Sequence, residues 1–225
     1  LPALTIPEQR QPLACYQMTH EHRQYLEQLA SPQRNETPFV GREPELALLN
    51  EYWGKAREGM GQAVLISGDA GIGKSRLLQR LKNHIVAQSS RCLARCLECR
   101  SSPYYQNTAW FPLLNLLRQA LPKLTIESAA SDLQLIEALV DHYRLASAEA
   151  VPLLAALLSV PLPTENYPVL TMDPQQQRQQ SLQLLLNWLL AQAQTQPLLL
   201  LIEDLHWADP STLEFIELLV RQVPV

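Results

Sequence analysis

The sequence predicts an α/β fold: a three-layer sandwich with a parallel sheet and a helical insertion. Three observations carry this expectation. A short apolar run, Ala63-Val64-Leu65-Ile66-Ser67, leads into a glycine-rich turn and then an amphipathic helical stretch. A second apolar run, Leu198 to Ile202, ends in two acids, Glu203 and Asp204. Between the two lie long segments with leucines at helical spacing, as crossovers between parallel strands require.

Composition narrows the class. The chain has 225 residues, enough to bury a sizeable core in one large domain or two small ones. Its hydrophobic share of 47% excludes disorder along the whole chain. With 18 Lys+Arg against 22 Asp+Glu, the net charge of −4 argues against a nucleic-acid grip spread over the surface. The apolar run 198–202 is far short of the ~20 residues that a membrane helix needs. No signal peptide opens the chain, which begins Leu1-Pro2 and reads as a piece of something longer. Cys15, Cys92, Cys96 and Cys99 are too few for a secreted disulfide scaffold, so a reducing, cytoplasmic setting is expected.

Along the chain, residues 1–38 are interrupted by five prolines and read as a connector from a preceding domain, with one short helix over Thr19 to Ala30. A helix begins near Pro44, with Leu46, Leu49, Trp53 and Ala56 on its inner face, and ends at Gly59 and Gly61. Residues 63–67 are expected to be a buried strand. Lys74 to Gln88 is a helix with Leu77, Leu78, Leu81, Ile85 and Val86 inward. A second strand is expected over 91–98. Residues 103–175 form a mostly helical insertion outside the sheet, expected to face a regulator or partner. Gln175 to Gln196 is an amphipathic helix with Leu182, Leu185, Leu186, Leu189 and Leu190 on one face. Leu198 to Glu203 is a third strand, and Pro210 opens a last helix through about Arg221.

Gly68-Asp69-Ala70-Gly71-Ile72-Gly73-Lys74-Ser75 fits G-x-x-x-x-G-K-[ST] in full. Glycines let the backbone turn tightly against a polyphosphate, and successive N–H groups form an anion nest. The helix starting at Lys74 adds its positive end. Lys74 is expected to reach the β- and γ-phosphates of ATP, and the Ser75 hydroxyl to ligate Mg²⁺; Arg76 comes next on the same turn. The strand ending in Glu203-Asp204 then supplies carboxylates at the sheet's carboxyl edge. Glu203 is assigned to the metal through water and Asp204 to orienting the attacking water, with the reverse assignment left open.

Together with Phe39-Val40-Gly41-Arg42-Glu43, the P-loop and Glu203 to Ser211 resemble the AAA-type ATPase domain of large multidomain signalling proteins. The segment Glu98 to Ala109, with its Ser-Pro-Tyr-Tyr-Gln-Asn core, is most similar to the ATPase domain that comes after a bacterial class III adenylate/guanylate cyclase domain. The resemblance covers about residues 39–225 and implies a P-loop NTPase fold. It also implies a cyclase domain before this one in the same polypeptide and a helical-repeat domain after it. Relatives place the Val40-Gly41-Arg42 segment against the base and ribose; the alternative is that it only anchors the first helix. Ser102 stands where the family often has Cys. Domains of this type have five parallel strands with the P-loop strand central. Only three can be named here, and a fourth would begin where the chain stops at Val225.

Lys74 to Glu203 is 203 − 74 = 129 positions, far more than the roughly 30 residues of one crossover unit. Cys92, Cys96 and Cys99 alternate along a strand, so they read as structural thiols, not zinc ligands. Asp209 reads as a helix N-terminal acid, Trp207 as a packing residue and His206 as a candidate sensor. Tyr104 and Tyr105 either line the site or pack. The expected function is Mg²⁺-dependent ATP binding and hydrolysis as a switch within a signalling protein. A nucleotide-gated scaffold without turnover, or the ATPase module of a LuxR-type regulator, are the alternatives. No basic recognition helix is present, so no direct nucleic-acid contact is expected from these residues, and oligomerisation is left open.

Overall fold

In the computed structural model, residues 40–88, 94–106, 108–121, 129–145, 149–163, 165–167 and 170–223 are described. The connector expected over 1–38, its helix, Phe39, Cys15 and Cys92 lie outside these residues. The chain divides into two units, Leu1–Arg42 and Glu43–Val225. The first is represented by Val40, Gly41 and Arg42. The second holds all the described helices and strands.

Helix α1, Glu43–Arg57, carries Pro44 in its first turn, where a missing N–H costs nothing. It ends on Gly59 at φ 89°, with Gly59 N–H donating to Ala56 O (3.1 Å) and Met60 N–H to Lys55 O (3.0 Å). These two bonds use carbonyls of the last turn, and glycine takes the left-handed position. Helix α2, Lys74–Gln88, packs on α1. The buried residues of the pair are Leu49, Trp53, Leu77, Leu81 and Ile85. Val86, expected inward, is 55% exposed, because it falls beyond the edge of the stripe set by positions 77, 81 and 85.

Strands β1, Arg95–Arg100, and β2, Leu198–Glu203, form a parallel pair with Arg95 opposite Leu198 and Arg100 opposite Glu203. Leu97 and Cys99 point into the main core, and Leu200 and Ile202, their partners in register, pack against it. Cys96, Glu98, Arg100, Leu201 and Glu203 share the other face. Leu201 is buried there, outside the main core, and Lys82 of α2 forms an ion pair with Glu98 on the same face. The layers are therefore helix, sheet, helix.

The main core covers the first face. It is built by α3 (Phe111–Ala120), α4 (Ala129–His142), α5 (Ala150–Leu158), α6 (Pro174–Thr195) and α7 (Pro210–Gln222). Leu113, Leu116 and Leu117 of α3 meet Leu97, while Trp188 and Leu189 of α6 and Phe215 of α7 close it. The 103–175 segment thus supplies three helices to this core, with apolar residues at helical spacing, and α3 packs on β1. Among the described residues the segment adds no strand to the sheet. On α6, Leu182, Leu185, Leu186 and Leu189 are buried as expected, joined by Leu184 and Trp188; Leu190 is half-buried.

Two expectations about strands are corrected. The second strand spans 95–100, not 91–98, and 91–93 fall outside the described residues. Residues 63–67 belong to no strand, and Leu65 is 79% exposed. A strand exists only where its N–H and C=O groups find lateral partners, and among the described residues none lies beside this run. The sheet consists of β1 and β2 alone among those residues.

The outer edge of β1 is closed by a side chain. Arg95 N–H donates to Pro197 O (2.9 Å) and Ser101 N–H to Glu203 O (3.0 Å), so the amide and carbonyl of Glu98 face away from β2. Gln119 of α3 takes both. Its Oε1 accepts from Glu98 N–H (3.3 Å), and its Nε2 donates to Glu98 O. An amide side chain standing in for a strand blunts the edge against further pairing.

Candidate functional site

The glycine-rich turn keeps the conformations its composition implies. Gly71 and Gly73 adopt φ 82° and 99°, the left-handed region that side chains with a Cβ rarely enter. A Cβ at either would meet nothing within 4 Å, so the space over the turn is open. Lys74 Nζ donates to Gly68 O (2.8 Å) and Asp69 O (2.9 Å), folding its ammonium back over the loop. Helix α2 begins with Leu77 N–H donating to Gly73 O (3.0 Å). Among the described residues, the N–H groups of Gly71, Gly73, Lys74 and Ser75 have no acceptor. Ala70 and Ile72 complete the turn, Ile72 N–H donating to Asp69 O, and Ser75 and Arg76 are exposed.

The acids stand at the carboxyl end of β2. Register puts Glu203 on the sheet face that α2 approaches through Lys82, and its carboxylate has no hydrogen-bond partner among the described residues. Asp204 leaves the strand at φ 56° and opens a 3₁₀ turn, Leu205–Trp207. Its Oδ2 accepts from Arg100 Nε at 2.7 Å. That hydrogen bond, together with the charges of Asp204 and Glu203, holds the Arg100 guanidinium above its ordinary range, against a smaller effect of burial. Among the described residues no hydrogen bond or ion pair joins Lys74 or Ser75 to Glu203 or Asp204.

Residues 38–225 match the AAA ATPase domain. The chain belongs to the AAA ATPase domain family. It is 30% identical over 179 residues to an uncharacterized protein of Rhizobium meliloti (strain 1021), a stretch that covers 78% of this chain. The chain spans 16% of that relative's length. No solved structure matches it significantly. The AAA family implies an α/β P-loop fold, with which the parallel pair and its two helical layers agree.

The other expected AAA site residues have varied surroundings. Val40, Gly41 and Arg42 belong to the first unit, where Val40 is exposed and Gly41 has φ 83°. Tyr105 stacks on Phe111, ring centroids 3.7 Å apart, while Tyr104 is 89% exposed. Trp207, expected to pack, is partly exposed and tilts against His206, with centroids 5.0 Å apart. Asp209 is the N-cap of α7. Cys96 and Cys99 point to opposite faces of β1, and burial pushes their thiols up to about 11 and about 12. Such thiols are weak nucleophiles at neutral pH. No group of three or more His, Cys, Asp or Glu among the described residues could hold a metal ion. No helix of theirs is long and apolar enough to cross a membrane.

Arg100 is the site residue that sequence reasoning missed. The signal was present: a cation two residues past the strand expected over 91–98. Its partner depends on the β1–β2 register, which no local pattern states.

Proposed function

We propose that the Gly68–Ser75 loop binds ATP with Mg²⁺, and that Glu203 and Asp204 support hydrolysis of its terminal phosphoryl group. One observation carries this reading: over the turn and helix start at Gly71–Ser75, four N–H groups lack acceptors among the described residues, beside an ammonium that bonds to its own loop's carbonyls. Buried or not, such donors are satisfied by water or by an anion. A polyphosphate offers oxygens to all of them, and Lys74 would exchange two carbonyls for charged phosphate oxygens. Asp69, Ala70 and Ile72 contribute backbone to the same cradle, and Arg76 adds positive charge.

The donor set suits Mg²⁺. The Ser75 hydroxyl and the free Glu203 carboxylate are hard oxygen ligands of the kind this ion takes, alongside water and phosphate. When bound, the ion neutralises charge developing on the phosphate oxygens. Glu203 would hold it through water. Asp204 would orient the attacking water. Its oxygen bonds to the γ-phosphorus as the bond to the bridging oxygen breaks, so that ATP and water give ADP, inorganic phosphate and a proton.

The resemblance of Glu98 to Ala109, and a relative far longer than this chain, support a wider reading. In it the domain is a regulatory module of a multidomain signalling protein, of the kind that comes after a cyclase domain. Two measurements on one variant test the chemistry. Asp204→Asn is expected to bind Mg-ATP within a few-fold of wild type by calorimetry, while phosphate release falls by roughly 10²-fold or more. Tight binding with no phosphate release by wild type would instead make the domain a nucleotide-gated scaffold. Equal release by variant and wild type would remove Asp204 from the chemistry.

A further inference from the structure

Asp204 is the acid proposed to orient the attacking water, and a role in hydrolysis for any of its neighbours rests on that reading. Its backbone is pinned and its side chain is not. Trp207 N–H donates to Asp204 O at 2.8 Å and fixes the residue in the left-handed region, at φ 56° and ψ 41°. For a residue with a Cβ that conformation is strained. The carboxylate makes no hydrogen bond to the turn it opens. Its partner is supplied from the neighbouring strand. Arg100 stands opposite Glu203 in register, one position before Asp204, and its Nε takes Oδ2. Among the described residues, Oδ1 has no partner.

Stability does not account for this pair. The side chains are 68% and 36% exposed, and ion pairs so open to solvent contribute little. Geometry does. The planar guanidinium defines the direction of an accepted hydrogen bond, which a rotating ammonium does not. With Oδ2 held by Arg100, the rotation of the carboxylate is set and Oδ1 is left for another donor.

We infer that Arg100 is a positioning residue for hydrolysis: it clamps one oxygen of Asp204 across the β1–β2 pair so that the other meets the attacking water. An error of about 1 Å in such placement costs up to roughly 10²-fold in rate. The test is a double-mutant cycle on the full chain, read by steady-state and single-turnover phosphate release. Arg100→Ala is expected to lower kcat by roughly 10- to 100-fold and leave KM for ATP within about twofold, since uniform binding is untouched. Arg100→Lys, which keeps the charge and loses the fork, is expected to fall between. In the Asp204→Asn background the Arg100→Ala effect should vanish, because the group being positioned is gone. The Arg100 Nε–H resonance is expected to shift or broaden on going from wild type to Asp204→Asn. Unchanged or raised kcat in Arg100→Ala, or a loss that persists in full beside Asp204→Asn, overturns the inference. A wild-type chain that neither binds nor hydrolyses ATP overturns the underlying reading instead.

Discussion

Asp204 and Asp209 are five residues apart, each at the start of a helical turn, with opposite surroundings. Asp209 is 1% exposed and saturated. Its Oδ1 accepts from the backbone N–H groups of Ser211 (3.0 Å), Thr212 (3.2 Å) and Trp110 (3.2 Å), and its Oδ2 from the Thr212 hydroxyl at 2.6 Å. It caps α7 and ties the N-terminus of α3 to it. Asp209→Ala would orphan these donors at a buried junction, and is expected to cost about 2–4 kcal/mol. For a chain of this size that lowers Tm by roughly 5–15 °C. Thermal melts of the purified variant check this, and a melt within ~2 °C of wild type would refute the junction's importance. The cap itself was legible, because Asp-Pro-Ser-Thr is a local pattern whose donors lie two and three residues on. The link to Trp110, 99 positions away, was not, and neither was the Arg100–Asp204 pair across 104. Both depend on how strands and helices dock.

Helices α2, α6 and α7 could be bounded from sequence to within about a residue, because leucine spacing and caps are local signals. The strand over 63–67 could not. Apolar, β-branched composition says that a run can pair; it does not supply the partner. Nor could the Gln119 clamp on Glu98 be read, since an amide that mimics a strand leaves no pattern. Helix ends offer a sharper test. Helix α5 closes like α1, with Ser159 N–H donating to Ala156 O (3.3 Å) and Val160 N–H to Ala155 O (2.8 Å). Here the left-handed position, φ 57°, is held by Ser159 instead of glycine. Ser159→Gly removes the Cβ strain and returns part of the gain as unfolded-chain entropy. A net stabilisation of about 0.5–1 kcal/mol is expected, visible as a higher urea midpoint with an unchanged m-value. A lower midpoint would show that the serine side chain matters more than its backbone.

At the scale of the whole unit, a core drawn from five of the described helices lies on one sheet face while the other receives the loop helix α2. The face that α2 approaches is the face that carries Glu98, Arg100 and Glu203. In the proposed site a net charge of −4 is compatible with holding a polyphosphate, because the work would fall to Lys74 and to backbone amides, which leave little trace in composition. It also gives Lys74 a role that no other residue of the loop duplicates. The most direct measurement is single-turnover release of phosphate from Mg-ATP by the full chain, wild type beside Lys74→Ala. The proposed site predicts release by wild type and a loss of roughly 10²-fold or more in the variant. Equal release by the two proteins would contradict it.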